Sequence, residues 1–183
     1  MMPIVTAAIA LLAWSQAWVL VMLGDGRSVV TAGDVAAPAI PPFALAALAL
    51  VGALSLAGAF FRVVLGVLQA LLGFGIAASG ALALADPLQA AAPRITEATG
   101  VDGVDAVRAL VEQVDVTIWP VVAVVAGVAA VVIGIGIAIT ASRWPMRTRR
   151  YDQSRLEPAA GSASPNRLDA WDALSDGDDP TAR

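Results

Sequence analysis

The chain has 183 residues, 58% of them hydrophobic, with a mean hydropathy of +0.78, against roughly 45–50% apolar residues in soluble domains. It contains no Cys, His or Lys, and all 11 basic residues are Arg. Disulfides and thiol chemistry are thereby excluded, and the commonest general base, metal ligand and Schiff-base amine are missing together, so neither an enzyme nor a metal or cofactor site is expected. The formal net charge of −4 is partitioned by region, and the apolar residues gather in a few long stretches.

Four of these stretches meet the requirement of about 20 mainly apolar residues per membrane crossing: residues 3–23, 40–61, 63–85 and 118–141. At 1.5 Å per residue each is roughly 30–35 Å long. The first lacks a basic n-region and a small-x-small cleavage site before Gly24, and reads as a retained span rather than a signal peptide. Within it Trp14 and Trp18 stand at i, i+4, either as a packing or lipid-facing stripe or as part of an aromatic-ligand site. A short loop with Gly26, Gly33 and Pro38 follows. Only Arg62 separates the second and third spans, which predicts a tight hairpin turning at a membrane surface. A soluble bundle would show polar stripes every 3–4 residues, and Val121 to Ile139 contains none.

Small residues recur every four positions at Ala49, Ala53 and Ala57, at Gly73, Ala77, Ala81 and Ala85, and most continuously at Ala126, Ala130, Gly134 and Ala138. Such ridges let helices approach closely in lipid, so the last set is the expected helix-packing surface. The polar residues at depth are Ser15, Gln16, Ser55, Gln69 and Ser79. Gln16 and Gln69 are offset by roughly 10 Å along the membrane normal, too far for a hydrogen bond, so separate interhelical contacts are expected. No ionisable residue lies at depth, which argues against a proton-coupled pump.

The second loop, residues 86–117, predicts an amphipathic helix over 102–114, with Val104, Val107, Val111 and Val114 on one face. Asp102 is its expected N-cap, Asp105 adds first-turn charge, and Arg108 pairs with Glu112 at i, i+4. An acidic helix of this kind docks on the end of the bundle; a lid over a substrate is the sharper alternative. Arg62, Arg143, Arg147, Arg149 and Arg150 fall on one side of the four spans. Arg27, Arg94 and Arg108 fall in the two loops opposite, among eight acids. The positive-inside rule then places both termini in the cytoplasm, and Trp119, Trp144 and Tyr151 flank the fourth span as interfacial aromatics.

After Arg150 the composition shifts, and residues 152–165, rich in Ala, Ser, Gly and Pro, predict a disordered linker within a cytoplasmic tail over 144–183. Its last part, residues 167–183, places Leu168, Trp171 and Leu174 at i, i+3, i+6 before Asp176, Asp178, Asp179 and Pro180. A turn of helix this short orders only against a partner. Leu168, Trp171, Leu174, Asp176 and Asp179 are therefore the candidate partner-binding residues. Counted from Asp172, an EF-hand loop would need a ligand at Leu174 and Glu at Arg183, so calcium is not expected. A phosphate loop would need the missing Lys, and the Arg cluster after the fourth span is explained by topology rather than by nucleic acid.

The expected fold is all-α: a four-helix transmembrane bundle over residues 1–143, a short outer amphipathic helix and a disordered tail. Three places carry a resemblance to the actinobacterial tryptophan-associated transmembrane family. They are Trp14/Trp18, the Arg149-Arg150-Tyr151 run, and the ending Trp171-x-x-Leu174-x-x-Gly177-x-Asp179-Pro180-Thr181. The resemblance implies a multi-pass membrane protein whose genes neighbour those of tryptophan biosynthesis. The expected function is a non-enzymatic plasma-membrane scaffold that engages a cytoplasmic protein through its terminal motif. The alternative is a small homo-oligomeric transporter or exporter of an aromatic metabolite. Lipid is the expected environment in either case, and nucleic acid is not an expected partner.

Overall fold

The structure, a computed structural model, describes residues 2–141, all within the compact unit Met1–Met146. The tail motif, Trp144, Tyr151 and the Arg cluster after the fourth apolar stretch lie outside the described residues. Among the described residues two helices are long and apolar enough to cross a membrane: Ala59–Ala85, with mean hydropathy 2.0, and Trp119–Thr140, with 2.8. In chain order the elements are α1 (Met2–Trp14), β1 (Ala17–Leu23), β2 (Ser28–Ala32), α2 (Gly33–Ala36), α3 (Ile40–Leu56), α4 (Ala59–Ala85), α5 (Pro87–Thr99), α6 (Val104–Leu110), β3 (Val111–Val116) and α7 (Trp119–Thr140). The long helices α4 and α7 form the central pair; α1 packs on α7 and α3, and α3 packs on α4.

The pair is built backbone against backbone. On α4, Gly66, Gly73 and Gly80 recur at intervals of seven, and on α7 so do Gly127 and Gly134. A Cβ on Gly66 would lie 2.8 Å from Gly134 O, one on Gly73 2.7 Å from Val131 N, and one on Gly134 2.5 Å from Ala70 N. A Cβ on Gly127 would strike Ala77 N. The order of these contacts makes the helices antiparallel, and a repeat of seven keeps one seam facing the partner along its length. Large side chains point the other way. Leu71, Phe74, Val125, Val132 and Ile139 are each more than 60% exposed, while Gly66, Gly73, Gly127, Ala130 and Gly134 are buried. Soluble proteins bury their large apolar residues; a helix pair with small residues inside and large ones outside is matched to lipid.

An all-α fold is not what the chain adopts. The helix expected over residues 3–23 ends at Trp14, and Ala17–Leu23 is the centre of an antiparallel sheet of order β2-β1-β3. Leu20 faces Val30 on one side and Asp115 on the other. The switch has local causes: Ser15 turns its hydroxyl onto Leu12 O, and the following Trp-Val-Leu-Val run favours the pleated form once Ser28–Ala32 and Val111–Val116 offer ladder partners. The helix expected over 102–114 divides in the same way, into α6 and the strand β3. Asp102 does not cap it: its carboxylate accepts from Gly103 N, and Gly103 starts the helix at φ 100°. Glu112 lies in β3, so Arg108 reaches Asp105 instead, at 4.0 Å.

The α3–α4 turn also falls earlier than Arg62 implied. Ala57 and Gly58 are extended, and Phe60, Phe61 and Arg62 belong to the start of α4. Helix α5 had not been expected, although Asp86 accepts from Gln89 N, Pro87 occupies the first turn, and Gly100 closes the helix at φ 72°. Pro favours the first turn and Gly the position after the last; Pro93 inside the helix masked the pattern.

Glycines on and off the seam should respond oppositely. Gly134→Ala pushes a methyl into Ala70 backbone and should destabilise the protein in detergent by about 1–3 kcal/mol. Gly136 has nothing within 4 Å of an added Cβ, and Gly136→Ala should be neutral or stabilise by up to about 1 kcal/mol. Equal effects in a denaturant titration would remove the seam from the account.

Candidate functional site

Three of the four expected packing residues lie on the seam: Ala130, Gly134 and Ala138 meet the glycines of α4 beside Gly127 and Val131, whereas Ala126 is buried in the core cluster that holds Ala7, Ala10 and Ala13. The α4 half of the seam is Gly66, Ala70, Gly73, Ala77 and Gly80 rather than the four-residue series through Ala81 and Ala85. Polar residues at depth do not make the expected interhelical bonds. Ser55 and Ser79 donate to Gly52 O and Gly75 O in their own helices, and Gln16 donates to Ser15 Oγ beyond the end of α1. Gln69 is fully buried in α4, and neither of its amide atoms has a hydrogen-bond partner.

The tryptophans do not share a helical face. Trp14 closes α1, whereas Trp18 sits at the β-bulge between Ala17 and Val19, fully buried, with its indole N–H donating to Ala13 O at 2.7 Å. Gly33 is pressed against both: a Cβ there would lie 2.5 Å from Trp14 O and 2.9 Å from Trp18 Cε2. Their role is to weld helix to sheet. Thr117 completes the weld, donating its hydroxyl to Ala17 O and its amide to Trp18 O, so β3 enters α7 directly beside the exit of α1.

The sheet, α5 and α6 form a cap at this end. Its core is Trp18, Val19, Val21, Leu23, Val29, Ile95 and Val107. Charge lies on its surface in local pairs. Arg94 donates to Glu97 at 2.7 Å, and this bond raises the arginine pKa. At the β1–β2 turn, Gly26 takes φ 83° and Arg27 folds back onto Asp25, its Nε donating to Oδ2 at 2.7 Å and its amide to Oδ1 at 3.0 Å. Those hydrogen bonds hold the Asp25 carboxyl below its ordinary value. Among the described residues no group of three metal-ligating side chains occurs. The concave surfaces of the cap lie between β2 and α5, between α5 and α6, and under the β1–β2 turn. The sequence held few signals for them, because they arise from the sheet.

An inside-out pair of long apolar helices, welded to a small polar-surfaced cap, defines a helical membrane protein with two candidate spans. The chain belongs to the tryptophan-associated transmembrane protein family, whose model matches residues 1–181. No curated protein and no solved structure matches it.

The pair at the turn makes a direct test of this geometry. With a depressed carboxyl pKa, the bond persists above the ordinary value of 3.8 and is lost only as pH falls through the lower folded-state midpoint. Arg27→Ala should raise the Asp25 midpoint towards 3.8, measured from side-chain carboxyl carbon shifts against pH. An unchanged midpoint would show that the turn does not hold the pair in solution.

Proposed function

We propose that the chain is a non-enzymatic, four-span protein of the plasma membrane, with both termini in the cytoplasm. It serves as a scaffold or interaction partner linked to tryptophan metabolism. In this reading α1 and α3 share the hydrocarbon layer with α4 and α7. At 13 and 17 residues they are about 20 and 26 Å long, and a thinned bilayer with interfacial anchors accommodates the shortfall. The outward residues Ile4, Val5, Ile9, Leu12 and Leu45 suit such a setting. The observation that carries the reading is the partition of polar groups. The α4–α7 seam closes on glycine and alanine backbone contact, while the charged residues other than Arg62, near the start of α4, fall outside the two long helices. Recognition then belongs to the ends, and Leu168, Trp171 and Leu174, flanked by Asp176 and Asp179, offer one apolar anchor with acidic surroundings. The second reading, an oligomeric exporter of an aromatic metabolite, draws support from Gln69, a polar side chain enclosed within the bundle.

Reporter fusions test the topology: those after Gly33 and Gly103 should report outside, and those after Arg62 and Arg150 inside. A cytoplasmic signal at Gly103 would contradict the four-span arrangement. For the tail, a peptide covering residues 167–183 should retain a cytosolic protein that its Trp171→Ala form loses. Truncating a buried Trp anchor costs about 2 kcal/mol or more, roughly thirtyfold in affinity, and salt should weaken the binding. Equal retention by both peptides, or none by either, removes the scaffold.

A further inference from the structure

The β1–β2 turn folds over the ends of α5 and α6, tied there by Gly24 N donating to Leu110 O at 3.0 Å. Beneath it lies a cleft of about 260 Å³. At ~30 Å³ per water this holds about nine waters, the room of a solute with a similar number of heavy atoms. Leu23, Val101, Ala109 and Leu110 line it with apolar surface, and Gly24, Thr99 and the half-exposed pair Asp25 and Arg27 complete the lining.

The two charges are held in a defined arrangement rather than on free side chains. Arg27 spends Nε and its backbone amide on Asp25, and its terminal nitrogens have no partner among the described residues. That free end is the edge with which a guanidinium grips a carboxylate through two parallel hydrogen bonds. Each Asp25 oxygen accepts one bond from Arg27 and keeps acceptor capacity for an ammonium. A fixed cation and a fixed anion side by side above an apolar recess complement one molecular pattern: a carboxylate and an ammonium on one carbon, with an apolar group below.

We propose that the cleft under the β1–β2 turn binds a free α-amino acid with an apolar side chain. Arg27 takes the carboxylate, Asp25 takes the ammonium, and the recess takes the side chain. The site lies wholly in the cap and is independent of the tail and of the orientation of the chain.

The test uses the full chain in lipid nanodiscs, open on both faces, titrated calorimetrically with leucine, phenylalanine and tryptophan. Saturable binding of at least one is expected. For the leucine skeleton, leucinol, which lacks the carboxylate, and N-acetyl-leucine, which lacks the ammonium, should each bind more weakly than the parent by on the order of tenfold. Arg27→Ala should weaken binding by a similar factor. Ala109→Trp, which fills the recess, should abolish it, and Arg94→Ala on α5 should leave it unchanged. Absence of saturable binding at millimolar concentrations overturns the proposal, as does unchanged affinity in Ala109→Trp, which decides the matter if Arg27→Ala misfolds.

Discussion

In hydrocarbon two helices gain nothing from hiding leucines from one another, because lipid is as apolar as the partner. What remains is dispersion, and it is strongest where backbones touch over a long line. The α4–α7 seam is such a line: Gly66, Gly73, Gly127 and Gly134 stand where a Cβ would collide with the facing helix's backbone. The other helices then arrange themselves around this pair, α1 against α7 and α3 against α4, with Phe43 laid over Gly75. The cap also depends on it, since α4 runs on into α5 and β3 runs into α7, so the spacing of the pair sets the separation of two of the cap's entry points.

The seam was legible only in part, through Ala130, Gly134 and Ala138 on α7. Ala126, Ala130, Gly134 and Ala138 advertise a ridge at four-residue spacing, while the true partner surface on α4 is set by glycines at intervals of seven and by the alanines between them. In an Ala-rich chain several small-residue series compete, and only the facing helix decides among them. The sheet was illegible for a different reason. Trp18 to Leu23 is apolar at every position, so it fits a membrane helix and a buried strand equally well. Its strand partners lie far apart in the sequence, and Val111–Val116 carries Glu112 and Asp115, which disguise it as the end of an amphipathic helix. Cap and turn signals around α5 are present in Asp86, Pro87 and Gly100, although Pro93 lies within the helix. The clefts of the cap depend on pairings of this long-range kind.

Family membership and fold together place the chain in the membrane. The division of labour follows from chemistry. A seam of glycines and alanines closed on backbone contact is suited to holding helices, and the cap, with Asp25, Arg27, Arg94 and Glu97 on its surface, carries charge instead. Gln69 stands apart from both, an amide enclosed among glycines on the buried face of α4. Its desolvation costs roughly 1–3 kcal/mol by protein mutational scales, a penalty that an apolar residue of similar volume would avoid.

The weld at Thr117 also sets a timetable for biosynthesis. The hydroxyl of Thr117 reaches Ala17 across 100 residues of chain. At roughly 5–20 residues per second the ribosome needs about 5–20 s to make that stretch. During that interval β1 has only β2 beside it, and an isolated two-stranded hairpin is at best marginally stable in water. One edge of the apolar strand Ala17–Leu23 thus stays open while α3 and α4 are being made, and closes only when Val111–Val116 emerges. Until then that edge can pair with any extended chain it meets, and it is the strand β3, not a helix, that closes it.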